Sequence, residues 1–403
     1  MSDQQVADGV ATGRTGTGSR RVLAVVAGAN FSQLGVRFLL GAVVPFVLVE
    51  FETSKSVVGL ALTGMWAAYA LLQFPSGVLA DRFGERPLLL AGVGGAAGGA
   101  TLVAVAPSVA LFGVAAVLLG AGAGLFFAPA SSLLSRLFEA RGGALGALTA
   151  GGAFAGVAFP ALGGVVAEAW GWRVAVGLGA LVAVPVLGAT AAIVPDLDPT
   201  NPGREFAAAV DPGRLVGLLT RPGLAYTTVV ASCTGFTFQA VSSFFPTFLV
   251  EYRGLDPATA GLAFGAAFAL SSLAQPLAGR ASDLVSRDAA IAGSVTLAGL
   301  GILTLVEVPG TGGLFVGTAV LGVGISWPGT IQARVMDRLS DAERGYGFGL
   351  VRTTYMLLAA SGSVVVGALA DAGGWPLAYG TVVGLLSCCL ALLGLNRALR
   401  LGL

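Results

Sequence analysis

The sequence predicts an all-α membrane protein of twelve transmembrane helices, arranged as two pseudo-symmetric six-helix bundles. Three observations predict it. Apolar runs of about twenty residues recur along the chain, basic residues gather in alternate loops, and the second half repeats features of the first. The chain is 55% hydrophobic and 11% charged, with a mean hydropathy of +0.86. In lipid every backbone polar group must be satisfied internally, which leaves helices or closed barrels, and the strict alternation of a barrel strand is absent. Gly and Ala are abundant in the apolar runs, where they let helices approach closely.

Taken in order, residues 1–21 are polar, rich in Gly and Thr, and end in Arg20 and Arg21. They lack the short apolar core and cleavage site of a signal peptide and are expected to form a disordered cytoplasmic tail. Apolar runs read against their punctuation then give spans at 22–49, 57–80, 88–105, 109–135, 144–168 and 173–194, an N-terminal bundle over 22–194. Residues 195–222 carry Pro195, Pro199, Pro202 and Pro212 with Asp and Arg between them, and are expected to be a cytoplasmic linker. Spans at 223–250, 258–281, 289–307, 313–335, 345–369 and 376–396 complete a C-terminal bundle over 223–397, followed by a tail at 398–403.

Orientation follows from Arg and Lys. With the amino terminus inside, 17 of 22 basic residues fall in inner loops, linker and tails, whereas only Lys55, Arg173 and Arg253 fall outside. Both termini are therefore expected in the cytoplasm, with the protein in the cytoplasmic membrane. The basic residues are too dispersed for nucleic-acid binding. His is absent, and Cys233, Cys388 and Cys389 sit in apolar runs without ligand spacing, so no metal, cofactor or disulfide framework is expected. No nucleophile or acid/base pair emerges, which argues against an enzyme.

The halves match at an offset of 201 to 203 residues. Pro45, Leu48, Val49 and Glu50 recur as Pro246, Leu249, Val250 and Glu251. Gln73, Gly77 and Asp81 recur as Gln275, Gly279 and Asp283, then Arg141, Gly142 and Gly146 as Arg344, Gly345 and Gly349. Gly164, Gly171 and Trp172 return as Gly367, Gly374 and Trp375. Two like bundles around a midplane site is an alternating-access architecture.

One position stands out in the first span. Arg37 lies near its middle, where a guanidinium costs roughly 2.5–3.5 kcal/mol even on lenient insertion scales. Its donor fork suits carboxylate or phosphate, and no Asp or Glu lies centrally in any span, so the anion is expected to arrive with the substrate. Asn30, Gln33, Arg37 and Gly41 share one helical face and are expected to line a polar cavity. The alternative is that Arg37 bonds backbone carbonyls and locks helices together. Tyr69, Gln239 and Tyr355, with Trp66, Gln73 and Gln275, are candidates for further ligand contacts or for interhelical ties. Arg352 lies about two turns into the eleventh span, where gate and ligand roles both fit it.

The segment Gly77-Val78-Leu79-Ala80-Asp81-Arg82-Phe83-Gly84-Glu85-Arg86 after the second span resembles the major facilitator superfamily signature, and Gly279-Arg280-Ala281-Ser282-Asp283 is a degenerate copy in the second half. The resemblance covers residues 22 to about 396. It implies a transporter with an inner gate in which Asp81 meets the start of the eleventh helix or Arg344, and Asp283 the start of the fifth near Arg141. Gly120-Ala121-Gly122-Ala123-Gly124 follows no strand and precedes no Lys-Ser/Thr pair, so it is expected to pack helices rather than bind nucleotide. Ala116 stands where family members often carry Arg. Pro160-Ala161-Leu162-Gly163-Gly164 resembles the fifth-helix motif of drug/proton antiporters, with Phe159 in place of Gly, and is read as packing and bending.

Arg37, Pro45 and Glu50, followed by Gly59-Leu60-Ala61-Leu62-Thr63-Gly64, resemble the organophosphate/phosphate antiporters and organic-anion symporters. In those families the first-helix Arg binds the anionic group, and Phe238 here occupies the place of their second Arg. The expectation is a monomeric transporter carrying a small, singly charged organic anion. Glu50, Glu168, Glu251 and Glu307 lie near span ends, which leaves no midplane proton carrier and favours uniport or exchange. Proton-driven efflux of drugs or other hydrophobic compounds is the first alternative, and a transporter-like membrane sensor the second.

Overall fold

The computed structural model describes residues 17–203, 212–340 and 343–403. Arg204 and Asp211 of the linker and residues 1–16 of the tail lie outside the described residues, as does the side chain of Arg344. The first half comprises α1 (Thr17–Glu50), α2 (Lys55–Phe83), α3 (Glu85–Ala104), α4 (Val109–Gly124), α5 (Phe127–Leu137), α6 (Arg141–Trp170) and α7 (Trp172–Ile193). After α8 (Pro212–Leu219), the second half comprises α9 (Pro222–Glu251), α10 (Pro257–Leu284), α11 (Arg287–Glu307), α12 (Gly310–Gly324), α13 (Pro328–Asp337) and α14 (Arg344–Ala398).

Ten described helical stretches are long and apolar enough to cross a membrane. The last of these breaks at Gly373 and Gly374 into two membrane-length pieces. The 30-residue α9 completes twelve. Its buried Thr227, Thr228, Thr234, Thr237, Gln239, Ser242, Ser243 and Thr247 lower its hydropathy. Many of these hydroxyls bond the carbonyl one turn back, as Thr228 Oγ1 does to Leu224 O at 2.7 Å, which makes them tolerable in a buried helix.

The structure departs from the predicted spans in two matching places. The fourth span of each half is broken, α4 from α5 around Leu125 and α12 from α13 around Ile325. In the second half Trp327-Pro328 explains the break, because Pro supplies no N–H to the preceding turn. The predicted linker also contains a helix, α8. Arg221, which follows α8 and caps α9, pairs with Glu343 just before α14 (2.7 Å). That pair, with Ser340, holds the Glu343 carboxyl down to about 2, so the clip keeps its charge at physiological pH.

Sequence repeats become repeated contacts. The Trp172 indole donates to Glu50, and Trp375 donates to Glu251 at 3.0 Å. Each tie fastens the end of a half's first span to the start of its sixth. The residue before each Trp, Gly171 or Gly374, has φ of +89° or +76°, a conformation that only Gly adopts without strain.

The halves meet along α2 against α14, α6 against α10, and α1 against α9. At the face opposite the linker, two symmetry-related carboxylates cap helices across the divide. Asp371 accepts from the Ser56 and Lys55 amides at 2.8 and 3.2 Å, and Glu168 accepts from the Ala258 amide at 2.8 Å. Each sits on a helix N-terminus, where orphan N–H groups and the helix dipole favour an anion. Lys55 Nζ adds an ion pair to Glu251 at 3.1 Å. Such approach requires Gly: a β-carbon on Gly164 would lie 2.8 Å from Pro257 O, and one on Gly367 2.5 Å from Lys55 O. Toward the linker face the contact between α6 and α10 relaxes, and β-carbons on Gly142, Gly146 or Gly279 would meet nothing within 4 Å, whereas α2 and α14 stay close, a β-carbon on Gly349 falling 3.3 Å from the Phe74 ring.

These ties yield a first prediction. Nitroxide labels at Val105 and Val308, exposed at the ends of α3 and α11 on the opposite face, report the separation of the halves there by pulsed EPR. Combining Asp371→Asn with Glu168→Gln should move the distance distribution to longer values by several ångströms. An unchanged distribution would show that the caps do not hold this face shut.

Candidate functional site

Arg37 is 2% exposed. At 1.5 Å per residue it stands roughly 30 Å along α1 from Thr17 and 20 Å from Glu50. Helical side chains lean toward the N-terminus, so Arg37 reaches back one turn. Its Nη2 donates to Gln33 Oε1 at 2.9 Å and Nε to Gln33 O at 3.4 Å. Gln33 Nε2 donates to Asn30 Oδ1 at 2.8 Å, and Asn30 Nδ2 to Leu148 O of α6 at 2.8 Å. The guanidinium lies 4.0 Å from the Tyr69 ring centroid and 5.0 Å from that of Trp66. This covers its π face and leaves Nη1 without an acceptor among the described residues.

A cavity of about 260 Å³ opens beside it, walled by α1, α2, α9, α13 and α14. Tyr69, Gln239 and Tyr355 line it. Asn30 and Gln33 do not. Helical spacing placed them on the face of Arg37, but α6 packs there, and they support Arg37 from behind. Gly41 packs against the backbone of Ser242 rather than facing the cavity. Arg352 lines the cavity from α14, its guanidinium 4.6 Å from the Phe127 ring centroid and its Nε unpartnered among the described residues. No Asp or Glu is among the lining residues.

The expected gate residues lie toward the linker face. Asp81 accepts from Thr200 Oγ1 at 2.9 Å, and its carbonyl accepts from the Asn201 amide at 2.8 Å. Gly84, with φ of +89°, turns the chain between α2 and α3, and a β-carbon on Gly77 would lie 3.8 Å from Ala128. Arg82 lies over the ring of its neighbour Phe83. Arg86 donates to Ala191 O at 2.6 Å and faces Asp196 at 3.9 Å. Asp283 is not with Arg141: it pairs with Arg287, four residues on, at 2.5 Å, and Arg287 also holds Asp337. The separation of α6 from α10 at this face leaves the local partner as the one within reach. Gly279 meets nothing, and Arg141 is exposed at the start of α6.

Sequence reasoning missed two elements. Trp327, Pro328 and Gln332 enter the cavity because the fourth span of the second half breaks, and a continuous helix gave no sign of that. It also missed a partly buried ion pair in each half: Glu85 with Arg136 at 2.8 Å, and Asp288 with Arg334. Each ties the short segment after the break to the start of the third span. Glu85 lies inside the Gly77–Arg86 segment, where the sequence alone does not distinguish it from a solvated loop charge. The glycine run of α4 packs as expected, with a β-carbon on Gly124 falling 2.7 Å from Tyr69 O, so that helix fixes the backbone that carries Tyr69.

Removing the acceptor behind Arg37 tests the support chain. Gln33→Leu strands a buried charged donor and should cost roughly 1–3 kcal/mol, read as a lower unfolding temperature in detergent. Gln33→Glu, which offers a carboxylate at the same reach, should melt above the Leu variant. Equal melting of both variants and the parent would show that the chain does not support Arg37.

The chain matches the family model described as Major Facilitator Superfamily over residues 26–256 and 227–400. It is 31% identical over 239 residues to the multidrug resistance protein B homolog of Mycobacterium tuberculosis, a match covering 56% of this chain and 39% of that protein. The chain thus spans about two-fifths of the length of that curated relative. Among solved structures, the nucleoside transporter NupG aligns with a TM-score of 0.79 at 12% identity, covering 92% of this chain and 98% of that one. A bacterial homolog of the human lysosomal transporter Spinster, inward-facing and unoccupied, aligns at 0.78 and 16% identity, covering 94% and 97%. At these identities the likeness is one of fold. Given the family match across nearly all of the chain, twelve spans and two repeated halves, this multi-pass membrane protein belongs to the Major Facilitator Superfamily.

Proposed function

We propose that this protein is a secondary transporter that carries a small organic anion across the cytoplasmic membrane by alternating access between its halves. One observation carries the reading: a buried, midplane Arg37 lines a cavity without a carboxylate and keeps an unpartnered N–H edge. A buried charge is retained where it meets a partner, and here the substrate supplies it. Uniport or anion exchange is the coupling that fits, since neither a carboxylate nor a His faces the cavity to carry a proton. The linker face is inside, by the distribution of Arg and Lys. The capped face is then the outer one, and the relaxed contact between α6 and α10 corresponds to an inward-leaning state. The protein works as a monomer, with the Asp81 region as its inner latch.

A second reading is efflux of lipophilic compounds, favoured by the 31% identity to a protein named for multidrug resistance and by the aromatic lining. The two readings differ in charge. Two arginines and no acid repel a lipophilic cation, whereas an efflux site for cations needs an acid there.

Orientation is tested with single cysteines at Thr53 and Asn201 after replacement of Cys233, Cys388 and Cys389. An impermeant thiol reagent on intact cells should label Thr53→Cys only. Labelling of Asn201→Cys from outside inverts the proposed topology.

Function is tested at Arg37. Arg37→Gln should abolish saturable anion uptake into proteoliposomes while the protein stays monodisperse, and Arg37→Lys should restore part of it, having charge without the planar fork. A well-folded Arg37→Gln protein that transports the anion normally would falsify the assignment. Saturable transport of a lipophilic cation, unaffected by Arg37→Gln, would instead establish the efflux reading.

A further inference from the structure

The cavity holds two cations, one from each half. On Arg37 the Tyr69 ring covers the π face at 4.0 Å and Gln33 takes Nε and Nη2, so hydrogen-bonding capacity remains at Nη1. On Arg352 the Phe127 ring lies 4.6 Å away and Nε is unpartnered among the described residues. Both guanidiniums therefore have aromatic cover and leftover in-plane donors. In-plane donors are what a carboxylate recognises, through two roughly parallel N–H···O bonds.

The rest of the lining describes the other end of the ligand. Phe38 of α1 meets Phe238 of α9 with ring centroids 6.2 Å apart, and Phe38 meets Trp66 at 6.3 Å. Tyr355 and Met356 of α14 complete an aromatic and polarisable wall. Ring edges and faces of this kind favour another aromatic ring over an aliphatic chain of equal area. The volume of about 260 Å³ lies below the roughly 300–1,000 Å³ of drug-sized sites, which restricts the ligand to one or two rings.

We propose that the ligand is an aryl carboxylate whose carboxylate bridges Arg37 of one half to Arg352 of the other, with its ring held against Phe38, Trp66, Phe238 and Tyr355. The inference rests on the anion-transport reading above and adds the bridge and the ring to it. Phe238, which fills the place of a second helix-borne Arg in phosphate-ester carriers, becomes part of the ring site. Arg352 supplies the second cation from another helix. An anion held by both arginines draws the two halves together at their centre, while each empty guanidinium repels the other.

The test uses the full chain purified in detergent, with calorimetric titration of benzoate, cyclohexanecarboxylate, benzamide and succinate. Benzoate should bind, cyclohexanecarboxylate about fivefold or more weaker, and the neutral isostere benzamide not at all. Arg37→Gln and Arg352→Gln should each weaken benzoate at least tenfold. The double variant should lose less than the product of the two, because one carboxylate spans both sites. Lys at either position, checked for monodispersity, should recover part of the loss and separates charge from folding.

Benzoate binding that is lost in Arg37→Gln and unchanged in Arg352→Gln overturns the bridge and leaves the Arg37 reading standing. Equal affinity for benzoate and cyclohexanecarboxylate overturns the ring site. Arg37-dependent binding of succinate without benzoate overturns the aryl class alone, and absence of binding by every acid overturns both this inference and the anion reading.

Discussion

A guanidinium at the centre of a bilayer has to be provided for, and most of what surrounds the cavity answers to that requirement. Arg37 cannot reach either headgroup layer from its depth, so snorkelling is closed to it. Protein dipoles and ring faces take its place: Gln33 and Asn30 pass its hydrogen bonding to the Leu148 carbonyl on α6, while Tyr69 and Trp66 lie against its plane. Those partners must be held in turn. Gly124 of α4 packs against the Tyr69 carbonyl, so even a helix remote from the cavity takes part in stabilising the charge. The provision is incomplete at Nη1, which is buried and has no acceptor among the described residues.

The doubled architecture extends down to individual bonds. A Trp-to-Glu tie closes each half, an Arg-to-carboxylate pair anchors each broken fourth span, and a carboxylate of each half caps a helix of the other. Symmetry fails in the cavity itself. Arg37 on α1 has no basic counterpart on α9, whose matching positions are Phe238 and Gln239, and Arg352 stands on α14 without a partner on α6. Shared positions serve the scaffold, which both halves need alike. Unshared positions face the single central space, which both halves wall.

Much of this was legible in the sequence, for identifiable reasons. Apolar length and Arg distribution suffice for the spans, because the bilayer imposes a length that a single chain records. Arg37 was legible because a cation in an apolar run stands out without any knowledge of neighbours. Asn30 and Gln33 were misread because periodicity tells which residues share a helix face but not which helix packs there. Asp283 was assigned a distant partner by analogy with the repeat, although Arg287 lay within four residues. Trp327 and Gln332 were invisible for a different reason: a break in the tenth span redirects them, and its cause, a Pro following Trp, also occurs in helices that only kink.

The capped face has a kinetic meaning. Its cross-half bonds, Asp371 on α2, Glu168 on α10 and Lys55 with Glu251, are partly exposed, and contacts of that kind contribute up to about 1 kcal/mol each. Together they bias the closed state by on the order of 3 kcal/mol, or roughly a hundredfold in population, and each factor of ten in a barrier is worth about 1.4 kcal/mol. Bonds much stronger than these would slow every cycle in proportion, and bonds much weaker would let the pathway leak. For the transport proposed above, turnover number and leak rate are thus set against each other by a few hydrogen bonds at helix ends, far from the central cavity.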